Sequence, residues 1–99
     1  MLNISKEKNG NELTLKLDGR MDTTTAPVLE GEVKAEIGGV ASLIFDLESL
    51  QYISSAGLRV LLSAQKIMNK QGEMVVRNAS EEVKEIFDVT GFADILTIE

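Results

Sequence analysis

The sequence predicts an α/β domain with a mixed sheet, and three observations carry that prediction. Two short runs near the start alternate apolar and polar residues around an Asn-Gly turn signal, the pattern of a β-hairpin. Downstream, apolar runs of strand length alternate with longer segments whose apolar residues recur at helical spacing. Glycines punctuate these segments. A hairpin contributes an antiparallel pair, whereas strands separated by helices pair in parallel, so the sheet is expected to be mixed.

Each element can be justified in turn. Leu2 and Ile4 alternate with polar neighbours, and Asn9-Gly10 supplies the tight turn. Leu13, Leu15 and Leu17 alternate with Thr14, Lys16 and Asp18 in the second strand. After Gly19, a polar loop through Asp22 reaches Thr23-Thr24-Thr25, a run suited to a helix N-cap, and Pro27 falls where a first helical turn tolerates proline. Leu29, Val33 and Ile37 make one apolar stripe, and Gly38-Gly39 stops that helix. Ser42 to Leu47 is a short, mostly apolar run, read as a strand buried on both faces. Gln51 to Ser54 reads as a connection. A helix from about Ser55 to Asn69 then presents Leu58, Leu61, Leu62 and Met68. Gly72 breaks it, and Glu73 to Arg77 forms the next strand. Ser80 caps a further helix, with Glu81 and Glu82 where acids complement the macrodipole, an apolar stripe of Val83, Ile86 and Phe87, and an end at Gly91. Ile95 to Ile98 closes the chain as a short strand. The expected order is β-β-α-β-α-β-α-β in a single domain spanning 1–99, with the helices mainly on one face of the sheet.

Composition narrows the function. The 99 residues include no cysteine and no histidine, which removes thiol nucleophiles, disulfides, the commonest general base and the commonest transition-metal ligand. No EF-hand spacing or glycine-rich phosphate loop is present, so no metal and no cofactor are expected. The net charge is -6 and the basic residues are dispersed, which argues against a nucleic-acid partner. No segment reaches the roughly 20 apolar residues of a bilayer span, and the N-terminus lacks the apolar run of a signal peptide. The expectation is a cytoplasmic, non-enzymatic monomer.

The most informative stretch runs from Phe45 to Leu62: a strand with Asp46 near its end, a short connection, then Ser54-Ser55-Ala56-Gly57-Leu58-Arg59 at a helix start. The first helical N–H groups lack intrahelical acceptors, and the macrodipole favours an anion there. A phosphoserine would add roughly -1.5 to -2 charges at neutral pH. The fold could tolerate that charge locally while a complementary surface could not, and Asp22 and Asp46 are expected to make the region more negative still. No histidine or nucleophile elbow accompanies the serines, so they read as acceptors activated by another protein's base rather than as nucleophiles. Plainer roles are available: Ser54 or Ser55 as an N-cap, Asp46 as a strand-end carboxylate holding loop N–H groups, Asp22 as an Asx-turn residue, and Arg59 on a solvated helix face.

This pattern resembles the STAS domain family, in particular the bacterial anti-sigma factor antagonists. The residues that carry the likeness are Asp46, then Ile53-Ser54-Ser55-Ala56-Gly57-Leu58, with Gly19-Arg20-Met21-Asp22 matching an earlier glycine-to-aspartate loop and Gly72 to Val76 and Val83 to Gly91 matching the later strand and helix. The chain departs from the family at two positions: Ser54 stands where Asp is usual, and Ala56 where Ser or Thr is common. The resemblance implies a partner-switching protein. Its unphosphorylated form would bind an anti-sigma factor with serine kinase activity and so free a sigma factor, and a serine phosphatase would reset the phosphorylated form. It places the phosphoacceptor on Ser55, with Ser54 as the alternative, and puts Asp22, Asp46, Ala56, Gly57, Leu58 and Arg59 around it. A competing reading is a constitutive STAS adaptor subunit of a lipid-transport ABC complex or of a stress-signalling assembly.

Overall fold

A computed structural model describes residues 2–99. The sheet has the strand order β1-β2-β3-β4, with β1 spanning Leu2–Asn9, β2 Glu12–Met21, β3 Ser42–Ile53 and β4 Glu73–Arg77. Strands β1 and β2 are antiparallel; β3 runs parallel to β2, and β4 parallel to β3. The helices are α1, Ala26–Glu36, α2, Ser55–Gln71, and α3, Glu81–Thr90. The mixed α/β fold and its element order are those the sequence predicts.

Local chemistry explains the elements. The β1–β2 hairpin closes on the Asn9–Glu12 pair, so its two-residue loop is Gly10-Asn11, and Gly10 takes φ 59°. Period-two alternation turns Leu13, Leu15 and Leu17 of β2 and Leu43, Phe45 and Leu47 of β3 to one face. They join Leu29 and Val33 of α1, Leu58, Leu61 and Met68 of α2, and Val83 and Phe87 of α3 in a single buried cluster, which puts the three helices against one face of the sheet. Each fully buried leucine or phenylalanine contributes roughly 1.5–3 kcal/mol relative to exposure. Met68 and Met74 are both buried in this core.

Two elements differ from the sequence expectation. The segment Gln51 to Ile53 is not a connection: β3 continues through it to Ile53, and the shifts in β2–β3 register between Lys16 and Asp18 and between Gly19 and Arg20 absorb the extra residues. The bulges space the buried residues Leu47, Leu50 and Ile53 three apart, which hides the strand from a period-two search. The last strand is reduced to one parallel bridge between Val76 and Ile98, preceded by a 3-10 turn at Phe92–Asp94. Leu62 is half-buried, and Ala64 and Gln65 take the more buried places on α2.

Candidate functional site

The start of α2 is built where the ends of β2 and β3 lie side by side. Met21 pairs with Ile53, and the Ser54 N–H donates to the Met21 carbonyl at 2.8 Å, so the chain enters the helix straight from the ends of the two central strands. Ser54 has extended backbone angles, φ -91° and ψ 175°, and its hydroxyl accepts from the Gly57 N–H at 3.4 Å. It is the N-cap. Ser55 is the first helical residue; it is exposed, and its hydroxyl makes no hydrogen bond among the described residues. The first turn of α2 carries no acidic residue.

Gly57 is fixed by packing. A Cβ at this position would collide with the Met21 side chain and come within 2.8 Å of Ile53 Cγ1. The missing side chain therefore lets α2 seat directly on the ends of β2 and β3. Leu58 is 4% exposed and belongs to the core, which corrects the expectation that it lies on the partner-facing surface; Gly57 is buried as well. Arg59 is exposed, and Ala56 is half-buried against the core. With Thr23, Ala26, Pro27, Glu30 and Val60 they line a shallow cavity of about 180 Å³ between α2 and the start of α1.

Asp22 lies beside this helix start, in the loop that follows Met21. Its Oδ1 accepts from the Thr24 hydroxyl at 2.7 Å and from the Thr24 and Thr25 N–H groups at 2.9 and 3.1 Å. The Thr25 hydroxyl in turn donates to the Arg20 carbonyl at 2.9 Å and accepts from the Asp22 N–H at 2.9 Å. The Thr24 hydroxyl, then the two backbone N–H groups, hold the Asp22 carboxyl down at about 2, so it is ionised throughout the neutral range. The threonine run thus acts through the Asp22 turn: Thr25 makes no side-chain cap bond to α1.

Asp46 does not join Ser55. It pairs with Lys16 on β2, five positions before Met21, which is about 16–17 Å along a strand at about 3.3 Å per residue. It is not the end of β3 but an interior residue at the last rung of the β3–β4 ladder, opposite Arg77. Its Oδ1 accepts from the Glu48 N–H at 3.1 Å and from Asn78 Nδ2 at 3.2 Å, so it holds the β3 bulge and ties it to the residue after β4. Asp46 therefore adds no nearby charge to the helix start.

Arg20 and Tyr52 are neighbours of the site that the sequence did not single out. They pair across β2 and β3, one register step before Met21 and Ile53, and the Arg20 guanidinium sits 4.6 Å from the Tyr52 ring centroid. Tyr52 is 37% exposed. Only the parallel register brings these two residues together; an exposed aromatic next to the serine pair was the one local signal.

A family model for the STAS domain matches residues 3–99. A Bordetella bronchiseptica protein named as a candidate anti-sigma factor antagonist, BtrV, is 35% identical over 98% of this chain and 85% of its own length. The anti-sigma-B factor antagonist of Bacillus subtilis is 32% identical over 98% of this chain and 90% of its own. Among solved structures, the Bacillus cell fate determinant SpoIIAA in its phosphorylated form superposes with a TM-score of 0.77 at 18% identity, covering 98% of this chain and 91% of that one. The matched family model, the two relatives and the fold agree: this chain belongs to the STAS domain family, among its anti-sigma factor antagonists.

Proposed function

We propose that this chain is a phosphorylation-controlled partner switch acting in the cytoplasm, a regulator rather than an enzyme. The unphosphorylated monomer binds an anti-sigma factor that is itself a serine kinase, and thereby frees a sigma factor. The kinase transfers a phosphoryl group from ATP to Ser55, the complex dissociates, and a serine phosphatase restores the binding form. The observation that carries this reading is the division of labour between two adjacent serines. Ser54 caps α2, which leaves the Ser55 hydroxyl exposed and without a partner among the described residues. Modifying Ser55 costs the fold no cap. A phosphate there meets unpaired helical N–H groups, so it is tolerated locally. To a docked partner the same phosphate is a new charge beside the ionised Asp22. A solved neighbour, SpoIIAA, exists in a phosphorylated form, which supports the reading without locating its site here.

The experiment is incubation of the protein with its anti-sigma kinase and ATP, followed by mapping of phosphate by mass spectrometry. One phosphate on Ser55, absent from Ser55→Ala, is the expected result. Phosphate on Ser54 would move the acceptor by one residue. Tight binding with no modification would make the chain a constitutive adaptor, the reading that Ser54 in place of the family's usual Asp keeps open.

A further inference from the structure

We infer that Arg59 is the internal counter-ion of a phosphate on Ser55, so that phosphorylation adds an anion to the switch surface and at the same time withdraws its free cation. The inference rests on Ser55 being the acceptor. Ser55 and Arg59 are four residues apart on α2 and share a face. Helical side chains lean toward the N-terminus, so Arg59 covers the turn that Ser55 opens. It is exposed and borders the cavity between α1 and α2.

The chain has three arginines, and they differ in what they hold. Arg77 is paired with Glu99 at 3.0 Å, and Arg20 lies over Tyr52. Arg59 pairs with no carboxylate among the described residues. Glu30 lines the same cavity from α1, yet it leans to Lys34, 3.8 Å away. The charged groups around the Ser55 turn are therefore Asp22 from the loop before α1, Glu30 from α1 and Arg59 from α2. Arg20 is a second cation nearby, at the end of β2, but its guanidinium lies over the Tyr52 ring. Arg59 is on the same helix as Ser55, and a guanidinium fork matches two phosphate oxygens at once. Before modification Arg59 is free to meet an acidic group on a partner. After modification it is held by the phosphate, so the partner loses a cation and gains an anion in one step.

The test uses the full chain carrying phosphoserine installed at position 55 during translation, which needs no kinase. The phosphate is titrated by phosphorus NMR in this chain and in Arg59→Gln and Arg59→Lys versions of it. From an ordinary second ionisation near about 6, contact with Arg59 should lower the value, and Arg59→Gln should raise it by about half a unit. Arg59→Lys should recover part of that shift, and the Arg59 Nε–H resonance should move when position 55 is phosphorylated. Identical titrations in all three chains would overturn the pairing, because a helix N-terminus acting alone gives that result. Failure of the anti-sigma kinase to modify Ser55 is a separate outcome: it would remove the functional reading while the measured ion pair stood.

Discussion

The starts of α2 and α3 use the same device for different ends. Both helices are capped by a serine in an extended conformation: Ser54 accepts from the Gly57 N–H at 3.4 Å, and Ser80 from the Val83 N–H at 3.2 Å. Beyond the cap they diverge. At α3, Glu81 and Glu82 follow directly and answer the positive end of the helix with fixed carboxylates. At α2 no acid occupies the first turn, and a second serine stands there with a free hydroxyl. One helix start is electrostatically complete. The other has no carboxylate in its first turn, the place the proposed phosphate would take. The cap is common to both helix starts; the first turn behind it is what differs, and the proposed switch rests on that difference.

Mutations put this contrast to the test, beginning with the largest effect. Gly57→Val should destabilise the fold by ~1–3 kcal/mol or more through overpacking, because the new side chain meets Met21 and Ile53. At Gly31 on α1, an added Cβ would find nothing within 4 Å, so Gly31→Ala should instead stabilise by roughly 0.5–1 kcal/mol. Urea denaturation midpoints for the pair would show whether Gly57 is there for packing; equal midpoints would refute it.

Smaller effects separate the serines. Ser80→Ala and Ser54→Ala should each lose about 1 kcal/mol, with Ser54 at the lower end because its cap bond is longer. Ser55→Ala should stay within about 0.5 kcal/mol of the parent, since no bond is removed. Thermal or chemical denaturation of the three variants checks the ranking. A Ser55→Ala variant as unstable as Ser54→Ala would mean that both hydroxyls serve the helix and neither is spare.

Much of this layout was legible in the chain. The hairpin signal, the stripe of Leu29, Val33 and Ile37, and the Ser80-Glu81-Glu82 helix start are local features, and local propensity decided them. What escaped was set by distant partners. Bulges opposite Asp18 and Arg20 extend β3 past Asp46 and carry that aspartate away from the serines it precedes in sequence. The reason for Gly57 resides in Met21 and Ile53, whose side chains only the register brings together. Leu58 reads in sequence both as part of the apolar face of its helix and as one of the residues around the phosphoacceptor, and its burial agrees with the first reading. The serine pair was visible in sequence, yet only the hydrogen bond from Gly57 to Ser54 divides its two members into a cap and a free hydroxyl.

The measurement that bears most directly on the switch is the affinity of the anti-sigma factor for the chain with and without phosphate on Ser55, at fixed ionic strength and with both forms shown to be folded. A phosphorylation switch at this site requires tight binding of the unmodified form and a loss of at least ~100-fold, about 2.7 kcal/mol, on phosphorylation. Equal affinity for the two folded forms would contradict it.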